Sequence, residues 1–139
     1  MIRLWILSIG FMVSLQAQEL FIVTDKGFQE GNITIQEVKE IFLGKKRFIN
    51  GKKILVMNYE FNHSVRRCFE KTVLKKSVRS IERYWQKAYY KGLRPPKIVK
   101  SEEMLFSYMQ EVQPSIGYIE KTDNLAAYLK VLFTIECKL

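Results

Sequence analysis

From Lys71 to Lys91 a basic side chain recurs at every fourth position: Lys71, Lys75, Arg79, Arg83, Lys87 and Lys91. Residues four apart share one face of a helix, so this spacing describes a cationic surface, and its chemistry is the holding of anions. Ser77 is placed to interrupt the helix, which splits the stripe between two elements. Tyr84, Trp85, Tyr89 and Tyr90 interleave with the cations, as in some single-strand nucleic-acid binders, but Trp85 falls on the apolar stripe and reads as core. The surface fits either a solvated face or a docking site for acidic lipid or protein.

Other reactive residue types are sparse. There is no G-x-S-x-G elbow, no H-E-x-x-H pair, no phosphate-loop lysine motif and no Cys-x-x-Cys. Glu102 and Glu103 are adjacent, so on a helix they diverge by about 100° and make a poor acid/base pair. One histidine, His63, and two distant cysteines offer no metal-ligand spacing. No catalysis, metal or cofactor is expected. Cys68 and Cys137 permit one disulfide in an oxidising compartment, yet Cys68 lies on an apolar face beside Val65 and Phe69, where a buried thiol fits equally well.

The charge is unevenly spread. The 139 residues carry a net charge of +9, and residues 45–100 hold 17 basic side chains against only Glu60, Glu70 and Glu82. Such asymmetry implies an anionic partner: an acidic protein, acidic headgroups or a small anion. The leader argues against nucleic acid. Arg3 is the only charge before Glu19, Leu4 to Leu15 is a short apolar run, and Ala17 closes it. That run is too short to span a bilayer comfortably. Residues 1–17 are therefore expected to be a cleavable secretory signal, with a retained anchor as the competing reading. Residues 18–139 are expected to form one periplasmic domain.

Elements follow from local punctuation. Glu19–Thr24 reads as a strand. Thr34 and Glu37 form a capping box, Ile33 and Val38 a hydrophobic staple, and Gly44 a left-handed stop. Asn50-Gly51 marks a tight turn before a strand over 53–58. Asn62 or Ser64 caps a helix running to about Leu74. Ser77 opens the next, with Val78, Ile81, Trp85 and Ala88 at helical spacing, broken by Pro95-Pro96. After a short strand at Ile98-Val99, Ser101 caps a helix whose apolar face is Met104, Leu105, Tyr108, Met109 and Val112. Strands are expected at Ile116–Ile119 and Tyr128–Ile135. Alternating strands and helices predict an α/β fold around a mixed sheet.

These landmarks resemble a known family. The run Thr34…Glu37-Val38…Ile41-Phe42-Leu43-Gly44-Lys45 is similar to the "LT-x-x-E-V-x-x-I-F-L-G-K" segment of phosphate-type periplasmic solute-binding proteins, the substrate-binding components of ABC transporters. Val56-Met57-Asn58, Arg66 with Phe69, Val73-Leu74, Tyr84-Trp85, Gly92 and Pro95-Pro96 follow in the family's order. Pro114-Ser115-Ile116-Gly117-Tyr118-Ile119 is similar to its "P-G-A-I-G-Y-V" strand. The resemblance covers Ile33 to Ile119 and is to short, single-lobe members. It implies one lobe of a type 2 periplasmic binding protein-like fold, with a mixed sheet flanked by helices. A second copy or a membrane transporter or sensor protein would supply the opposite wall, unless solute binding has been lost.

In that family a Ser-Gly-Thr at a helix N-terminus holds phosphate through hydroxyls and backbone N–H groups, a place where free amides and the helix dipole favour an anion. With Phe69 as anchor, those positions fall on His63-Ser64-Val65. Only Ser64 restores a hydroxyl, displaced by one position. The arginine expected four residues before the serine falls at Tyr59. The resemblance thus implies a phosphate-like oxyanion held by amides from His63 to Arg66, with Ser64 and Arg66 in support. Against this stand plainer roles: Ser64 as helix cap, Arg66 as partner of a surface acid, and His63 in an exposed loop.

Overall fold

The computed structural model describes residues 9–12, 18–28, 32–120 and 129–137. Apart from residues 9–12, the expected leader lies outside the described residues. Among the described residues no helix is long and apolar enough to cross a membrane.

The chain opens with β1 (Glu19–Asp25), followed by α1 (Ile35–Phe42). Helix α1 starts where its cap was expected, with Thr34 Oγ1 accepting the Glu37 N–H at 3.1 Å. The Glu37 carboxylate is turned toward Lys46 Nζ at 3.4 Å rather than closing the capping box. Gly44 follows the helix at φ +74°, a conformation that favours a residue without Cβ. Asn50 and Gly51, both at positive φ, turn a two-residue hairpin of β2 (Phe48–Ile49) and β3 (Lys52–Lys53), as the primed turns require.

Then come β4 (Leu55–Tyr59), α2 (Ser64–Thr72), α3 (Val78–Tyr90), β5 (Lys97–Val99), α4 (Glu102–Glu111), β6 (Ser115–Ile119) and β7 (Leu129–Glu136). The expected breaks hold: Ser77 Oγ accepts the Ser80 N–H, and Ser101 Oγ accepts the Met104 N–H, each at 3.2 Å. Two apolar assignments fail at helix ends. Val78 and Val112 are both 39% exposed. Val78 is the first residue of α3 and Val112 the cap of α4, so neither shares the buried stripe of the helix interior.

The main sheet has the order β5-β4-β6-β1-β7. Strand β4 runs parallel to β5 and β6, whereas β1 is antiparallel to β6 and β7. The expected mixed sheet is therefore present, and its centre, β6, is buried throughout. Alternation along β6 decides what packs on each face. Tyr118 stacks on Phe69 of α2 at 4.2 Å between centroids and meets Phe42 of α1 at 6.0 Å. Gly117 turns the other way, toward Leu105 and Met109 of α4.

A Cβ at Gly117 would stand 2.7 Å from Leu105 Cδ1. The missing side chain is what lets α4 approach the sheet. Gly117→Ala is expected to cost about 1–3 kcal/mol through overpacking, read as a lower urea midpoint at unchanged m-value. A neutral or stabilising result would mean that α4 has room to move outward.

The cysteine question resolves in favour of a bond. Cys68 on α2 and Cys137 just after β7 form a disulfide with Cα atoms 5.5 Å apart. Both positions are buried, so the apolar surroundings of Cys68 and its pairing are compatible.

Candidate functional site

The parallel strands β5, β4 and β6 end on the same edge of the sheet. Ligands in open α/β sheets bind outside the carboxyl ends of such strands. The edge carries Tyr59 at the end of β4, the first turn of α2, the first turn of α4, and Glu120 just after β6. Between them is a hollow of about 260 Å³ lined by Tyr59, His63, Val65, Glu102, Glu103 and Glu120. This is the place the resemblance assigns to an oxyanion.

Each expected residue takes a definite position. The cap of α2 is His63, not Asn62 or Ser64: its Nδ1 accepts the Val65 N–H at 3.3 Å. The imidazole is held for this by stacking on the Tyr59 ring, 4.8 Å between centroids. Ser64 becomes the first residue of the helix and is exposed. The Val65 side chain is buried, and its N–H is engaged by the cap.

Arg66 is turned inward. Its Nε donates to Glu70 Oε1 at 2.8 Å, and Nη1 donates to the Tyr59 carbonyl at 3.0 Å. The guanidinium also lies 5.7 Å from the Phe61 ring centroid. Glu70 is 5% exposed, so the plainer role holds with a difference: the partner acid is buried. The spacing that signals it, a cation and a carboxylate four residues apart on one helix, was present in the sequence.

The acids were not legible as a group. Glu102 and Glu103 belong to the first turn of α4, where negative charge suits the dipole. Glu102 Oε1 also accepts the Glu120 N–H at 3.0 Å. Their joint effect appears at Tyr59. Burial pushes its phenol above the ordinary tyrosine range, and the carboxylates of Glu102, Glu120 and Glu103 push it further. The Tyr59 hydroxyl donates to the Tyr118 carbonyl at 2.8 Å, and the Tyr118 hydroxyl donates to Asn58 Oδ1. This network is satisfied internally.

The basic series is exposed at all six positions, Lys71, Lys75, Arg79, Arg83, Lys87 and Lys91. As expected it is divided: Lys71 lies on α2, Lys75 in the turn at φ +54°, and Arg79, Arg83 and Lys87 on α3. At the junction Arg67, Lys71, Lys75 and Lys76 converge on a hollow of about 690 Å³ with Glu70, Ser77 and Val78. Trp85, expected in the core, is only partly buried. It packs over Gly44, 3.6 Å from where a Cβ would stand.

No protein-family model matches the sequence, and no curated protein matches it. The fold is similar to that of an ABC-type phosphate transport receptor from Vibrio cholerae, seen in its crystal structure. The TM-score is 0.62 over 81% of this chain, at 17% sequence identity. The match takes in 44% of that receptor, so the chain covers less than half of it. The chain is a mixed α/β domain with the fold of a single lobe of a periplasmic binding protein.

Proposed function

We propose that this chain is a non-catalytic, one-lobed binding-protein-like module that docks on a membrane transporter or sensor through the basic surface of α2 and α3. The observation that carries the reading is the state of the α2 N-terminus. The Arg66 guanidinium is committed to Glu70 and the Tyr59 carbonyl, and His63 occupies the Val65 amide. Glu102, Glu103 and Glu120 line the same hollow, so an oxyanion entering it would meet like charge. The cations free to meet an anionic partner lie instead on the outer surface. The apolar leader over residues 1–17 and the Cys68–Cys137 pair support an exported domain over 18–139, since disulfides persist in oxidising compartments.

A second reading keeps the phosphate-like oxyanion at His63–Arg66, passed to an ABC transporter, with a second copy completing the cleft. It is favoured by one observation: Ser64 stands exposed at the first turn of α2, with the exposed Arg67 three residues on.

Calorimetric titration of the full chain with phosphate, sulfate and methylphosphonate at low salt separates the two. The docking reading expects no saturable heat with Kd below about 1 mM, and salt-sensitive retention on solubilised envelope membranes that Arg79→Glu/Arg83→Glu/Lys87→Glu abolishes. Micromolar phosphate binding lost in Ser64→Glu would overturn it in favour of the oxyanion.

A further inference from the structure

Beside the basic ridge of α3 runs an apolar groove of about 750 Å³. One wall is α3 itself, where Ile81, Trp85 and Tyr89 recur at four-residue spacing. The other wall is Pro95, Pro96 and Ile98, leading into β5, with Phe61 nearby. Much of this lining faces water: Tyr89 is 59% exposed, Phe61 45% and Ile98 44%. The volume is in the range of sites that enclose a ligand or a few side chains.

Charge surrounds the groove on the α3 side. Glu82, Gln86 and Tyr90 form its outer ridge, and Arg79, Arg83 and Lys87 each lie three residues before one of them. On a helix those positions are neighbours, so the exposed cations border the groove along its length. Arg94 sits 4.5 Å over the Tyr89 ring and adds a further cation. Among the described residues that line the groove Glu82 is the one carboxylate, and Arg66, also in the lining, is paired with Glu70.

We infer that this groove receives an acidic polypeptide segment bearing at least one large apolar side chain, presented by the partner protein. The inference rests on the docking reading and names the contact point. The apolar side chain enters between Trp85 and the Pro95-Pro96 wall, and flanking carboxylates meet Arg79, Arg83, Lys87 and Arg94. A concave, aromatic-lined slot with cations on its rim suits a peptide inserted into a groove. A flat lipid surface would leave the slot unfilled.

Trp85 reports on the site directly. With Trp5→Phe in the full chain it is the only tryptophan. The probe is a blocked synthetic peptide of glutamates with two leucines four positions apart. Its controls are an all-glutamate peptide, a lysine counterpart, and phosphatidylcholine vesicles containing phosphatidylglycerol. The expected result is a saturable blue shift of Trp85 emission with the leucine-bearing acidic peptide, about tenfold tighter than with the all-glutamate peptide. Tyr89→Ala and Ile98→Ala should each weaken it about tenfold. The 89% exposed Tyr90 gives a third variant, Tyr90→Ala, that leaves folding untouched and should weaken binding severalfold.

Equal binding of both acidic peptides, unaffected by these variants but lost in Arg79→Glu/Arg83→Glu/Lys87→Glu, would overturn the groove and leave the docking reading standing. Silence toward every acidic peptide would sink both. A blue shift on the vesicles in preference to the peptide would make the occupant a membrane. A concentration-dependent blue shift without peptide would make it a second copy of the chain. Either overturns the inference.

Discussion

Replacing both Cys68 and Cys137 by alanine is expected to lower the stability of the domain by about 4 kcal/mol. The bond joins residues separated by 69 positions, and its removal returns that loop's freedom to the unfolded chain. The closure also matters in the folded state, because it ties α2 to the end of β7, at the edge of the sheet. For a chain of this size the loss corresponds to a fall in Tm of roughly 12–20 °C. Urea denaturation of the double alanine variant, beside the unmodified protein with and without reductant, measures it. A difference below about 1 kcal/mol would mean that the unfolded chain is already held compact near these residues, and the entropic account would fail.

The second large effect is expected at Arg66. Arg66→Ala leaves the Glu70 carboxylate buried with no guanidinium, and breaking a buried pair by removing one partner costs about 3–5 kcal/mol. Removing both partners is a different matter. Arg66→Met/Glu70→Leu exchanges the pair for apolar volume and is expected to be within about 1–2 kcal/mol of the parent. The two single and the double variants, compared by urea denaturation, form a cycle whose interaction term should be large. Additive costs would show that each side chain acts alone. One practical consequence follows for ligand studies: loss of binding in Arg66→Ala reports lost folding before it reports a lost ligand contact.

What the sequence reveals and what it hides divide along a physical line. The start of α1 was legible because Thr34 caps the Glu37 N–H within one turn, and the hairpin turn because Asn50-Gly51 supplies two positive φ angles in succession. At α2 the same local logic ranked Asn62 and Ser64 above His63. Imidazole takes the position because Tyr59, at the end of a neighbouring strand, holds the ring in place, and that contact has no signature in the helix itself. The acidic lining of the strand-end hollow was hidden for a related reason. Glu102 and Glu103 are explained by the dipole of their own helix, and only the parallel packing of β5, β4 and β6 brings them, with Glu120, against Tyr59. The disulfide likewise depends on where β7 lies, which the cysteine spacing alone leaves undetermined. Trp85 reads as core because it falls on an apolar helical period. Periodicity marks the face but does not say whether a neighbouring element covers it, and here the groove leaves it half open.

The position of β1 has a consequence for how the molecule comes to be folded. Both of its neighbours, β6 and β7, come from residues beyond 114, and its register sets Glu19 against Glu136. Leu20, Ile22 and Val23 therefore have no sheet partners until nearly all the described chain is available. Closing so long a loop precedes any reward from the contacts it makes, and topologies dominated by such pairings fold in milliseconds to seconds rather than microseconds. The sheet is therefore expected to close around β1 in one late step, once the residues beyond 114 are in place.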